Sequence, residues 1–324
     1  MIHVSFAAIE SSQVECILFR IFFVTDVHGS DVCFRKFLKA ADVYKPQSLM
    51  LCGDITGKFV VPIIKQPDET VKARYSGSDL VLRTEEEIVA LEKKIADIGS
   101  YSYRVDSTET DRLTTEYSEK MFQEKMHERL RSWMKLAEER LKGKKISCYV
   151  SPGNDDDFHI DQVLKNSEFV VDCEEKIVDV GGYEMATLAW TNPTPWKTPR
   201  ECSDEELHER TEKLLAGVSN MKNCIFNFHC PPYDSGLDSA PELSKNLVAG
   251  TDMIPVGSVS IRKSIEQHQP LLGLHGHIHE SRGALSIGRT LCMNPGSEYG
   301  EGILRGAVVN LDKDAVKGYL LTSG

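Results

Sequence analysis

The chain has 324 residues, 41% hydrophobic and 27% charged, with a formal net charge of -11. That composition is ordinary for a globular protein with a sizeable core, and the acidic balance argues against a general basic surface for holding nucleic acid. Phosphate substrates stay open, because bound divalent cations can supply positive charge locally.

No run of 18 apolar residues offers a membrane-spanning helix. No basic region followed by an apolar core and a small-residue cleavage site marks a secretory signal. The nine cysteines lie singly, with no CxxC spacing. Buried free thiols of a cytoplasmic protein, without a membrane partner, are the expectation.

Residues 1–16 are weakly patterned and read as an edge strand or a short leader. Residues 17–25 are strongly β-prone and predict a buried strand ending at Asp26-Val27-His28-Gly29. Ser30 or Asp31 then caps a helix with apolar positions Val32, Phe34, Phe37, Leu38 and Ala41. Residues 48–52 form a second short strand, ending at Gly53-Asp54. Strand, helix and strand joined by short turns make a βαβ unit, which favours parallel pairing. Sites in open α/β sheets gather at the carboxyl ends of strands, where Asp26, His28 and Asp54 fall.

Residues 57–83 are loop-like or hairpin-like. Thr84 followed by Glu87 resembles a capping box, opening a helix to about Ile98. A second helical pattern runs over 111–142, with Leu113, Tyr117, Met121, Leu130, Met134, Ala137 and Leu141 in register. This charged stretch, 84–142, interrupts the α/β alternation and is read as a helical insertion. It either docks on the body or serves as a lid or a surface for a protein partner.

A strand over 145–150 leads to Gly153-Asn154-Asp155-Asp156, and further strands are expected near 176–180 and 183–189. A proline-rich loop at 191–200 and a helix near 204–216 precede a strand at 223–228, which ends at His229. After a long loop and a helix at 258–267, an apolar run enters Leu274-His275-Gly276-His277-Ile278-His279. Short strands near 284–287, 289–293, 306–311 and 316–321 close the chain. With no repeat and no linker, residues 1–324 read as one α/β domain.

The histidine tract alone reads equally as a solvated turn or as metal ligands. Its context favours ligands: Asp26, His28, Asp54, Asn154, His229, His277 and His279 each follow an apolar run that reads as a strand. Carboxylate, imidazole and amide oxygen together suit Mn, Fe or Zn. Seven donors exceed the needs of one ion and point to two ions sharing a carboxylate. Asp31, His159, His268 and His275 lack such support and are read as structural.

In order, Asp26-Val27-His28, Gly53-Asp54, Gly153-Asn154-Asp155-Asp156, His229 and Gly276-His277-Ile278-His279 resemble the motifs of the calcineurin-like metallophosphoesterases. The resemblance covers roughly residues 20–300, and Asn294-Pro295-Gly296-Ser297 is similar to a turn of small phosphodiesterases in that family. It implies a four-layer αββα sandwich and two divalent ions. Asp26, His28, Asp54 and His279 would hold one; Asp54, Asn154, His229 and His277 would hold the other, with Asp54 bridging. It also implies hydrolysis of a small phosphate ester, a diester favoured over a monoester, by attack of a metal-bridging hydroxide.

Asp54, Asn154 and Asp155 would then be the catalytic residues. Asp155 stands where the family pattern has a histidine, and a carboxylate beside two cations is expected to stay ionised and to be a poor acid. His159 is the nearest candidate to replace it. Low turnover would instead make the protein a metal-bound scaffold or sensor that binds a partner through 84–142. A nuclease is a weaker reading, given the acidic balance.

Overall fold

Alternation along the first strands sets the layering of the molecule. The computed structural model describes residues 18–112, 115–244 and 246–324, and the side chains of these outside 110–117. The expected edge strand or leader at 1–16, Leu113 and the side chain of Tyr117 lie outside the described residues.

The chain begins β1 (Phe19–Val24), α1 (Asp31–Val43) and β2 (Ser48–Cys52). An inserted stretch follows: β3 (Val60–Lys65), β4 (Val71–Tyr75), β5 (Ser78–Leu82), α2 (Glu85–Asp97) and β6 (Tyr101–Asp106). Then come α3 (Thr115–Leu141), β7 (Ser147–Ser151), α4 (Asp161–Lys165) and β8 (Val171–Asp172). The second half begins with β9 (Ile177–Val180), β10 (Tyr183–Leu188), α5 (Asp204–Leu215), β11 (Cys224–Phe228), β12 (Ser239–Leu243) and β13 (Ala249–Pro255). It ends with α6 (Val259–His268), β14 (Leu272–Leu274), β15 (Gly283–Ile287), β16 (Thr290–Asn294), β17 (Arg305–Asp312) and β18 (Ala315–Ser323).

Two six-stranded sheets result, ordered β18-β17-β1-β2-β7-β8 and β15-β16-β14-β11-β10-β9. Strands β1, β2, β7 and β8 pair in parallel, as do β10, β11, β14 and β16. The flanking strands β17, β18, β9 and β15 are antiparallel. The parallel strands of each sheet therefore present their carboxyl ends on one edge.

Successive side chains of a strand face opposite ways. Phe22 and Val24 pack with α1, α3 and α4, while Ile21 and Phe23 turn to a second cluster. Leu49, Leu51, Cys148 and Val150 follow the first pattern; Met50, Cys52 and Tyr149 follow the second. The second cluster also takes Met185, Ile225, Leu272, Leu274 and Met293, so the two sheets share it. From the second sheet, Ala186, Leu188, Phe226 and Phe228 pack instead with Leu207 and Leu215 of α5 and Ile261 and Ile265 of α6. Each fully buried Leu, Ile or Phe contributes about 1.5–3 kcal/mol.

α3 belongs to the first cluster through Met126, Leu130, Trp133, Met134, Ala137 and Leu141, a helical stripe. Of the two readings of 84–142, docking on the body describes this helix. The rest of 84–142 is α2 and a strand, β6, and it packs with the 57–83 stretch, of whose two readings the hairpin describes β4 and β5. β3, β4, β5 and β6 form a four-stranded sheet, ordered β5-β4-β3-β6, with its own cluster of Ile63, Val71, Ala73, Ile88, Leu91 and Ile95. The capping box of Thr84 and Glu87 is present at the start of α2.

The eight cysteines among the described residues are free and buried. No helix among the described residues is long and apolar enough to cross a membrane.

Candidate metal centre

Asp26 and His28 follow β1, Asp54 follows β2, Asn154 follows β7, His229 follows β11, and His277 and His279 follow β14. The ends of both sheets thus contribute, and the structure brings the seven side chains together. Asp26, His28 and His279 form one group of potential ligands, and Asp54, His229 and His277 form another; within each group the donor atoms lie within 4.8 Å of one another, as they also do for Asp155 with His28 and Asp54.

Asp54 joins the two groups. Its Oδ2 lies 3.7 Å from His28 Nε2 and 3.5 Å from His229 Nε2. Asp26 Oδ1 is 3.4 Å from His279 Nε2 and 3.8 Å from His229 Nε2. The Nε2 atoms of His28 and His279 are 3.1 Å apart. Asn154 directs its Oδ1 to within 3.1 Å of His229 Nε2, while its Nδ2 donates to Thr198 Oγ1 at 2.6 Å. Two imidazoles closing to this distance beside carboxylates make a donor set that fits a borderline divalent cation. The buried Nδ1 atoms of His28 and His229 have no hydrogen-bond partner among the described residues.

The backbone is bent to achieve this. Asp26, His28, Asp54 and His277 have φ of 53°, 41°, 44° and 69°. Each such non-glycine conformation costs about 1–3 kcal/mol, and such strain clusters at functional sites. A Cβ on Gly153 would lie 2.2 Å from Asp54 Oδ1, so only glycine lets the third motif approach the shared carboxylate.

Neighbouring bonds hold the loops. Asp156 accepts from the backbone N–H groups of Ile55, Thr56 and Gly153 at 2.9, 2.8 and 2.8 Å, which ties the Asp54 turn to the Asn154 turn. The Asp155 N–H donates to Asp54 Oδ1 at 2.9 Å. Asn294 Nδ2 donates to the carbonyls of Gly276 and Ile278, and Ser297 Oγ donates to the Asp26 carbonyl at 2.6 Å. His275 is fully buried, its Nδ1 2.8 Å from the Phe228 carbonyl and 3.1 Å from the Cys230 carbonyl, on either side of His229.

Burial raises the Asp26 carboxyl, but the charges of His229 and His279 outweigh it and hold the pKa down at about 2. Asp54 is likewise buried yet held well below the usual carboxylate range by His229 and His28. His229 goes up to about 9 against burial, because Asp54 and Asp26 face it. His28 falls to about 3 and His277 to about 4, chiefly through burial. The carboxylates are thus ready as ligands and two imidazoles are neutral; a cation arriving at His229 would displace a proton.

Asp155 is set between the Asp54 carboxylate and a cation of the chain itself. Burial and the charge of Asp54 push its pKa up, while Lys58 pulls it down. Lys58 forms an ion pair with Asp155 Oδ2. Sequence reasoning missed both Lys58 and Tyr299, whose ring centroid lies 4.6 Å from that of His28. Their positions, just after Gly53-Asp54 and the 294–297 turn, were the available signal.

His159 is more than half exposed, 3.8 Å from Asp157, and does not join the converging groups. Asp31 accepts from Trp133 and Arg35, and His268 pairs with Glu212. None of the three is in the ligand groups among the described residues.

No protein-family model matches the chain. An uncharacterized protein of Methanocaldococcus jannaschii, MJ1162, is 34% identical over 146 residues, which cover 44% of this chain and 61% of that protein. The chain thus matches less than two thirds of that relative's length. A solved structure, TT1561 of Thermus thermophilus, superposes with a TM-score of 0.52 at 15% identity, over 95% of this chain and 98% of that one. Another crystal structure gives a TM-score of 0.54 at 12% identity, over 95% and 99%. These likenesses bear on the fold alone.

Proposed function

We propose that this protein is a dinuclear metal-dependent phosphoesterase of the calcineurin-like kind. Its two sheets, with helices packed on their outer faces, would be the αββα sandwich of that family. The observation that carries the reading is Asp54 Oδ2, which stands 3.7 and 3.5 Å from the imidazoles of His28 and His229, one from each ligand group. A carboxylate so placed is suited to bridge two ions.

Asp26, His28 and His279 would hold one ion, and Asn154, His229 and His277 the other. Two divalent ions, Mn, Fe or Zn, supply a water of lowered pKa and positive charge for the phosphoryl and leaving oxygens. The protein's own part is to fix the ligands. Asp156 and the 294–297 turn hold the loops, and Asp155 keeps Asp54 oriented through its N–H. A diester is favoured over a monoester on the likeness of the 294–297 turn.

The test is metal content with anomalous scattering, followed by an assay on an aryl phosphodiester with Mn²⁺ near neutral pH. Roughly two ions per chain are expected. Replacing Asp54→Ala should cost at least one ion and abolish metal-stimulated release. Release by the wild type no greater than that of Asp54→Ala would sink the hydrolase reading.

A further inference from the structure

Three carboxylates, Asp26, Asp54 and Asp155, crowd the site, and an anionic ester must approach them. Bound ions would offset Asp26 and Asp54. Asp155 has a different counter-charge. Among the described residues, Lys58 is the lysine or arginine that forms an ion pair with a carboxylate of this cluster. Asp155 Oδ2 in turn lies 3.9 Å from His28 Nδ1, so the pair sits directly on the ligand shell.

Exposure is graded across the pair. The Lys58 side chain is 42% exposed, that of Asp155 21%, and those of Asp54 and His28 only 4% and 1%. Of these side chains, that of Lys58 is the most open to an anion arriving from water. A lysine ammonium has three N–H donors. The ion pair with Asp155 Oδ2 engages one side of that head group and leaves donors for a further acceptor. A charge-assisted hydrogen bond to phosphate is the interaction a compact ammonium makes well.

We propose that Lys58, steadied by Asp155, is the substrate-anchoring cation of this site, donating to a non-bridging oxygen of the phosphate group. This rests on the phosphoesterase reading above.

The experiment uses the full-length, metal-loaded protein and titrates inorganic phosphate by calorimetry. Metal content and melting temperature are measured on every variant. Lys58→Met should keep its ions and its melting temperature, bind phosphate roughly 10- to 100-fold more weakly, and raise KM for the aryl diester more than it lowers kcat. Lys58→Arg should recover part of that loss. Asp155→Asn should keep its ions and bind phosphate at least as tightly as the wild type, since the ammonium is freed.

Wild-type phosphate affinity in Lys58→Met would overturn the assignment while leaving the dinuclear reading intact. Loss of an ion in Asp155→Asn would also overturn it, by making Asp155 a ligand and Lys58 its surface partner. A wild type that takes up no ions would fail at the earlier step, and this proposal would fall with it.

Discussion

Burial sets the charge of single residues in this chain, and outside the metal cluster the clearest case is Glu174, which it keeps protonated. Its Oε1 accepts from the Ala189 N–H at 3.0 Å, while its Oε2 is buried with no hydrogen-bond partner among the described residues. The residue is only partly buried as a whole, so the tip rather than the stem is what is desolvated. Burial lifts its pKa from 4.5 to about 8, against the Ala189 N–H and the charge of Arg200. The folded carboxyl therefore holds its proton where the unfolded one has lost it. Its contribution to stability is present below pH 4.5 and is lost as pH rises towards 8. Glu174→Gln should flatten the fall in melting temperature between about pH 5 and 8; a parallel pH profile for the two proteins would refute this. Such a residue was invisible in the sequence, because nothing in Cys173-Glu174-Glu175 tells which glutamate turns inward. Asp26, His28, Asp54 and His229 were legible for the opposite reason. Each follows a run of apolar residues whose period marks a strand end, and strand ends are where an α/β sheet gathers its ligands. Lys58 was missed because its partner, Asp155, comes from a distant turn.

At the scale of elements, amphipathic pattern carried further than charge. α3 reads as a polar, insertion-like helix, yet it supplies Trp133 to the core beneath α1. That indole stacks on Phe34 with ring centroids 4.2 Å apart, and its Nε1 donates to Asp31 at 2.9 Å. Trp133→Ala should cost about 3–5 kcal/mol in chemical denaturation, and Trp133→Phe much less. A loss below about 1 kcal/mol for the alanine would mean that α3 is only loosely docked. Deleting 84–142 would remove this side chain with the rest of the stripe, so partner binding by the insertion has to be tested with point variants of its exposed faces. β3 to β5 were harder to read. Pro62 sits inside β3, and proline weakens a strand pattern in sequence. In the structure β3 pairs with β4 on one side and β6 on the other, so the strand is defined by partners that local pattern does not specify. The β12–β13 hairpin was likewise read as part of a long loop; β13 is mostly exposed and lacks the apolar alternation that would announce it.

Across the whole molecule, the inserted unit reaches the site through a seam of backbone. Gly99, just after α2, has φ +86°, and a Cβ there would lie 2.0 Å from the carbonyl oxygen of His28. Around the same turn Arg129 of α3 donates to the Gly29 carbonyl at 2.8 Å, and Ser30 Oγ donates to the Asp97 carbonyl at 2.5 Å. The turn that carries His28 is therefore braced from outside its own sheet. Gly99→Ala must move either the end of α2 or the His28 peptide. Because Asp26 and His28 depend on left-handed backbone for their aim, a small shift misdirects one ligand group. The expected result is an ion lost, or Mn²⁺ bound about tenfold or more weakly, with the chain still folded. Gly77→Ala is the matched control: it lies in the β4–β5 turn of the same unit at φ +77°, with no atom of the described residues within 4 Å of its Cβ. It bears a similar conformational cost without the contact, and should keep wild-type metal affinity. Equal losses in the two variants would trace the effect to general loosening of the insertion. Wild-type affinity in Gly99→Ala would show that the seam does not govern where His28 points.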